Sequence, residues 1–538
     1  MARRTIAGLF LVMCLFCISP AHAFIEKCPA DGAQAQECVE DRIDGLLKWS
    51  SSGGIYAPRL QAGHVDGMRG MIATKTIKKG GLMMSIPREM ALIVQDGTAS
   101  PFPWLLSDED WSLAQQEVQL AALLLYHAKL GQESKWYPWI QALPTTFDTL
   151  PHWTAAELDE LQLGTTTTEL GFRSEVDARA EFSGSLYNHF KGTSFMSSLN
   201  VTQEEQDWAL SIVFSRSVAV PRPVNWAQPV LTTLTLLVGA AVFAFSPLKK
   251  SQHSKTMLNL TGIALLFTLG PWVYWFLING ASQPGGEDDT ALLPLFDMLN
   301  HDARQEGSWL KSSWTGSHFQ VVAAAEGFAP GKEATISYGQ KPNEAFLLHY
   351  GFVDTTYKAD FYSTDLLEHV QQQYNIPEDR VVGLAQAEKL YKAVESMSLK
   401  KGGAADEVPK ALRYLLATSK ELKEVEEQSQ TTGQWLADIL EYRRLPTPMT
   451  PFDYITLSDS TELKVQEVLH SFCSSILKSK STTVSADQAE LAKLKTQNSS
   501  GDQSRRKGLA LQYRIGKKKI LQSCVRKHQR LAKEFGSS

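Results

Sequence analysis

The segment DMLNH, Asp297 to His301, closes an apolar run (Leu292 to Leu299) on two polar side chains, Asn300 and His301. Such a run sits inside a fold, so both polar groups must be at least partly buried and must find hydrogen-bond partners there. His301 followed by Asp302 has the residue types of a metal-binding pair in a phosphohydrolase. That chemistry needs further His and Asp ligands on neighbouring helices, and none stands at a recognisable spacing, so no metal is expected. About 35 residues further on, ISYGQKPNEAFLLHYGF carries Tyr338 at the end of a strand-like stretch and Phe352 behind a Tyr-Gly pair. Arg216 lies well upstream in FSRSV. Taken singly, a strand-end tyrosine is a packing residue and a lone arginine a surface charge; only their combination argues for a site.

The elements that would position these groups can be read from periodicity. RGMIATKTIKKGGLMMSIPREMALIV alternates apolar and polar residues on each side of Lys79-Gly80-Gly81, the pattern of two short strands joined by a turn. Residues from about 100 to 220 read as helical, with VQLAALLLYHAKL strongly apolar. Strand character returns at HFQVVAAAEGF and, after Pro330-Gly331, at EATISYG. From about 365 onward the chain is helical: Val465, Val468, Leu469, Phe472 and Ile476 fall at helical spacing behind Asp459 and Glu462, which resemble a capping box. STTVSADQAELAKLKTQNSSGDQS reads as a polar, loop-like insertion, and no internal repeat is present.

The 538 residues, 43% hydrophobic and 21% charged, are those of a globular chain with more than one domain. A net charge of -5 gives no global reason to expect a nucleic-acid partner, and the basic RRKGLALQYRIGKKK reads as the solvated face of a terminal helix. Residues 1–23 have the form of a signal peptide: two arginines, an apolar stretch, then Ala21-His22-Ala23. Its removal leaves Cys28, Cys38, Cys473 and Cys524, of which Cys28 and Cys38 are the plausible disulfide pair. Two apolar runs within 229–278, each long enough to cross a bilayer and joined by the basic KKSQHSK, read as a transmembrane hairpin with both flanks extracytosolic. The address that follows is a membrane of the secretory pathway, with a plastid presequence as the rival. Sequons at Asn200 and Asn498 flank the hairpin; a third, at Asn259, falls inside it.

DMLNH together with ISYGQKPNEAFLLHYGF resembles the two signature segments of SET-domain methyltransferases, in particular the Rubisco large-subunit and actin-histidine subfamily. The resemblance extends to GMRGMIATKTIKKGGLMMSIP, SKWYPWIQALPTTFDTLPHWTAAELDELQLGT, DWALSIVFSRSV and GLALQYRIGKKKILQSCV, in family order over most of residues 49 to 530. It implies an α+β fold. A β-rich SET domain (49–364) with knot-like C-terminal threading, a helical insert (about 100–220) and the hairpin would follow the N-terminal segment 24–48. An all-α substrate-binding domain (365–538) would complete the chain.

The same resemblance implies S-adenosylmethionine as cofactor and a protein lysine, or alternatively a histidine, as methyl acceptor. Tyr338 would orient the attacking nitrogen. Asn300 and His301 would hold the cofactor through backbone groups, Met68, Arg69 and Gly70 would line its cleft, and Phe352 would stack on the adenine. Arg216 would meet the cofactor carboxylate, with Asp297 bracing the site. Gly67, with Asp66 beside it, stands where relatives often carry a glutamate, and Asp302 where they carry a small hydroxyl residue. A protein-binding scaffold without catalysis is the alternative from another class. Methyl transfer is an in-line displacement that needs alignment and water exclusion more than acid-base power. A lysine, with an ordinary pKa of about 10.4, must first lose its proton.

Overall fold

The computed structural model describes Cys28 and residues 33–65, 68–164, 167–222, 289–307, 309–313, 316–356, 360–386, 388–400, 403–405, 407–424, 457–497 and 501–536. The expected signal peptide, Asp66 and Gly67, and the sequons at Asn259 and Asn498 fall outside these residues. The chain divides into two compact units, one of residues 1–146 with 183–339, the other of 147–182 with 340–538.

Among the described residues, the first unit holds helix α1 (Ala33–Ser52) and nine short strands in three antiparallel sheets. Strands β1 (Leu60–Val65), β2 (Met68–Ala73) and β9 (Glu333–Ala334) form one sheet in the order β1-β2-β9; β3 (Leu82–Pro87), β8 (His318–Val322) and β7 (Leu310–Ser312) form the second. The third joins β4 (Leu92–Val94), β6 (Asp289–Leu292) and β5 (Val218–Val220). The two strands expected around Lys79-Gly80-Gly81 are present, but they pair into different sheets. Gly80 has φ +72, a left-handed conformation that suits a glycine. The apolar helix α2 (Gln116–Lys129) packs on β4 and on α4 (Gln203–Arg216), which opens with a capping box of Thr202 and Glu205.

Strands β5 and β6 pair antiparallel with Val220 opposite Asp289. The Asp289 carboxylate, fully buried, accepts from Arg222 at 2.6 Å, Arg88 at 2.9 Å and Gln95 at 3.1 Å. Arg222 and Asp289, which flank residues 223–288, are thus pinned side by side. Joining Arg222 to Asp289 by a short Gly/Asn turn is expected to shift the thermal midpoint by less than about 3 °C; loss of the cooperative melt would contradict this clamp.

One expected feature is corrected here. No helix among the described residues is long and apolar enough to cross a membrane, so the two-helix transmembrane hairpin is not supported as part of this fold; its residues, 229–278, lie outside those described.

In the second unit, helices α5 (Asn343–Tyr350), α6 (Glu407–Leu416), α7 (Asp459–Ser479), α8 (Val484–Thr496) and α9 (Asp502–Gly536) accompany several shorter ones. The unit is not all-α. Strands β10 (Phe361–Thr364), β11 (Met397–Lys400) and β12 (Gly403–Ala404) form an antiparallel sheet whose Tyr362, Met397 and Leu399 enter the same core as Val465, Leu469 and Leu521. Short strands between helices carry too few alternations to stand out in sequence. The α7 start signal also differs from expectation. Ser458 is the cap, accepting from the Thr461 amide, whereas Glu462 is buried against Arg413 at 2.5 Å. The polar stretch read as a loop is helix α8, capped by Thr483.

Cys28 and Cys38 form the expected disulfide, and a second joins Cys473 on α7 to Cys524 on α9, both fully buried.

Three histidines are held neutral. Burial, reinforced by nearby cations, lowers His127, His349 and His528 to about 4. His528 Nδ1 lies 2.7 Å from Gln466 Oε1 inside the bundle. The unfolded chain takes up these protons near pH 6.5 and the folded chain only near 4, so stability is full above about 6.5 and is lost as pH falls toward 4. Urea midpoints are expected to drop between pH 7.5 and pH 5; equal midpoints would contradict neutral burial of these rings.

Candidate active site

The strand pairings place the two sequence-singled segments against each other. His301 and Ile336 form a parallel bridge: the Ile336 amide donates to the Asn300 carbonyl at 3.0 Å and the Asp302 amide to the Ile336 carbonyl at 2.9 Å. The Tyr338 amide donates to His301 Nδ1 at 3.0 Å, which leaves the ring proton on Nε2. The two rings lie 5.3 Å apart. The Tyr338 hydroxyl donates to the Leu299 carbonyl at 2.8 Å, so its oxygen lone pairs have a fixed direction. Trp309 supports this strand end, its indole donating to the Ser337 carbonyl at 3.0 Å while its ring stacks on Phe296.

Asn300 and His301 are partly buried, as their place after an apolar run requires. The Asn300 amide nitrogen donates to the Arg69 carbonyl at 2.9 Å and to Glu333 Oε1 at 2.7 Å. It thereby ties the DMLNH segment to β2 and to β9. Gly70 permits this approach, since a Cβ there would stand 2.4 Å from Glu333 Oε1 and 2.9 Å from Asn300 Nδ2. Replacing Asn300 by Ala leaves the Arg69 carbonyl and Glu333 carboxylate without this donor, a loss of about 1 to 3 kcal/mol. We expect that variant to lose affinity for S-adenosylmethionine as well as stability. Wild-type affinity by calorimetric titration would refute the assignment.

A charged group lies beside this bridge. Asp297, its side chain 2% exposed, sits 3.9 Å from Arg216 Nε and accepts from the Trp139 indole at 3.3 Å. Trp139 belongs to α3 (Tyr137–Ala142), and Arg216 ends α4. Burial pushes the Asp297 carboxyl above its ordinary range, while Arg216, Arg69 and the Trp139 hydrogen bond oppose the shift. Burial likewise lowers Arg69, with Asp297 opposing and Arg216 adding to it, and Arg69 Nη1 donates to the Ala142 carbonyl at 2.6 Å. Two buried atoms here lack hydrogen-bond partners, Arg216 Nε and Asp297 Oδ1. Leu295, at φ +66, is held in a left-handed conformation where the chain turns into this segment. A leucine pays strain there, as backbone at functional sites often does.

Of the residues singled out from sequence, Arg69, Gly70, Arg216, Asp297, Asn300, His301 and Tyr338 are linked by these contacts within the first unit. Met68 is 59% exposed at the start of β2. Phe352 belongs to the second unit, where it stacks on Phe346 at 4.9 Å. Glu333, Trp139, Trp309 and Leu295 were not found from sequence. A carboxylate opening the strand before ISYG was the available signal for Glu333; the others had none. Among the described residues no group of three His, Cys, Asp or Glu side chains is placed to hold a metal.

These sheets, with DMLNH bridged to ISYG, define the fold of the SET-type methyltransferases. Solved structures agree: the SET domain of LSMT bound to lysine and AdoHcy matches with a TM-score of 0.56 at 15% identity, covering 93% of each chain. Rubisco LSMT bound to AdoMet matches at 0.55 and 15% identity, covering 92% of this chain and 93% of that one. Residues 370–521 match the family model described as Rubisco LSMT substrate-binding. The actin-histidine N-methyltransferase of Homo sapiens is 22% identical over 498 residues, 90% of this chain and 68% of the relative. That of Drosophila melanogaster is 22% identical over 321 residues, 60% and 50% respectively. The chain therefore has the SET fold and is similar to the Rubisco large-subunit and actin-histidine methyltransferases.

Proposed function

We propose that the protein transfers a methyl group from S-adenosylmethionine to a lysine nitrogen of a protein substrate. The observation that carries this is the Tyr338 hydroxyl, fixed on the Leu299 carbonyl beside the Asn300-His301 bridge. The residues fit the cofactor: Arg216 Nε is a buried donor that makes no hydrogen bond, as a cofactor carboxylate would require, and Asp297 at 3.9 Å braces that arginine. Backbone at Met68 to Gly70 and at Asn300 and His301 would hold the remainder. When bound, the cofactor supplies a methyl carbon already activated by its sulfonium. The chain's part is alignment: Tyr338 directs the attacking nitrogen, and the apolar residues around Leu299 keep water out and disfavour the ammonium form of the amine. Calorimetric titration of the full chain should show binding of S-adenosylmethionine that Arg216→Ala weakens at least about tenfold; wild-type affinity in that variant would sink this role.

Histidine is the second reading, supported by similarity to actin-histidine N-methyltransferases along most of the chain. Amino-acid analysis of the labelled product separates methyl-lysine from methyl-histidine.

We also propose an extracytosolic, oxidising compartment. Two disulfides support it, and Asn200 of the sequon Asn200-Val201-Thr202 is exposed at φ +48 ahead of α4. A glycosidase-sensitive mass that Asn200→Gln reduces is expected. Thiols fully alkylated without reductant would count against it.

A further inference from the structure

We infer that Glu333 is a positioning residue for cofactor binding: it fixes the Asn300 side-chain amide so that its carbonyl oxygen faces the ammonium group of S-adenosylmethionine. Glu333 opens β9 opposite Ile72 of β2, and its carboxylate accepts from Asn300 Nδ2 at 2.7 Å. The same nitrogen donates its second proton to the Arg69 carbonyl at 2.9 Å. An ionised carboxylate and a carbonyl only accept, so the flipped amide would set oxygen against oxygen on both sides. Asn300 Oδ1 therefore has one direction.

That oxygen belongs to a half-buried side chain and accepts no hydrogen bond from the described residues. A polar atom so placed calls for a donor. The contacts say which one. Arg69, whose carbonyl holds Asn300, feels the charge of Asp297, and Asp297 lies 3.9 Å from Arg216, the residue assigned to the cofactor carboxylate. In an amino acid the ammonium is borne by the carbon next to the carboxylate. Of the donors on the cofactor, Arg216 thus brings the ammonium toward Asn300. An ammonium donating to an amide oxygen makes a charge-assisted hydrogen bond, roughly twice as strong as a neutral one. Glu333 acts on it only through Asn300. The inference rests on the cofactor assignment of Arg216 and is read by binding rather than by methyl transfer.

The test is calorimetric titration of the full chain at pH 7, where an α-amino group of ordinary pKa, about 7.7 to 8.0, is protonated. The ligands are S-adenosylhomocysteine and its des-amino analogue, in which hydrogen replaces the ammonium. The wild type should bind the first at least about tenfold more tightly, as a hydrogen bond from a charged group allows. Glu333→Met keeps the length of the side chain and removes its acceptor. It should cut that preference to less than about threefold by weakening the ammonium-bearing ligand, while affinity for the analogue changes less than about twofold. Glu333→Gln still offers Asn300 a carbonyl oxygen and should retain at least about half of the preference. If Glu333→Met fails to melt cooperatively, Glu333→Asp, one methylene shorter, should still lose about threefold of the preference. Equal weakening of both ligands would make Glu333 a structural brace and overturn the inference. So would an unchanged preference without the acceptor, or a loss in Glu333→Gln as large as in Glu333→Met. Failure of the wild type to bind either ligand would overturn the cofactor assignment and this inference with it.

Discussion

Tyr338→Phe is expected to lower methyl transfer at least about tenfold while leaving the fold and cofactor affinity nearly unchanged, because the lost hydroxyl contributes roughly 1.4 kcal/mol or more to alignment in the transition state. Its aromatic ring, beside His301, is kept by the substitution, and its amide still donates to His301 Nδ1. The hydrogen bond to the Leu299 carbonyl disappears. Single-turnover rates at saturating cofactor isolate this step from binding. An unchanged rate would remove Tyr338 from the reacting centre.

The largest expected loss of stability lies in the second unit. Asp487 is fully buried; its carboxylate accepts from Arg514 Nε at 3.0 Å, Thr482 Oγ1 at 2.6 Å and Lys518 Nζ at 2.7 Å. Burial already lowers Lys518, with Asp487 opposing that shift. Removing the carboxylate leaves Lys518, its side chain 1% exposed, with only the neutral oxygens of Gln162 and Thr482. Breaking one side of a buried pair in this way costs about 3 to 5 kcal/mol. Asp487→Ala should therefore lower the melting transition of this unit by roughly 10 °C, and adding Lys518→Met should restore part of it. A single variant melting within about 2 °C of the wild type would show that these charges are not desolvated in solution.

That network also marks where the sequence misled. RRKGLALQYRIGKKK has the composition of a solvated helix face, yet Arg514, Lys517 and Lys518 are buried. Their partners Glu160, Glu344 and Asp487 lie 354, 173 and 31 positions or fewer away along the chain, and no local pattern reports such pairings. Helix α8 was missed for the same reason: one of its buried side chains is Asp487, so its inner face looks polar. The core of the site was legible because its signal is local. An apolar run ending in Asn300-His301 had to bury polar groups, and ISYG had strand alternation. Glu333 and Trp139 joined it only through tertiary pairing. The transmembrane hairpin rested on apolar length and the basic KKSQHSK loop, and no described helix supports it.

The most direct test of the account is transfer of label from methyl-labelled S-adenosylmethionine to a protein in extract of the source organism by the full chain. The account predicts label in a discrete protein, carried on a lysine or histidine nitrogen, dependent on active enzyme. Cofactor binding with no label above a heat-inactivated control would contradict it and make this SET fold a protein-binding scaffold.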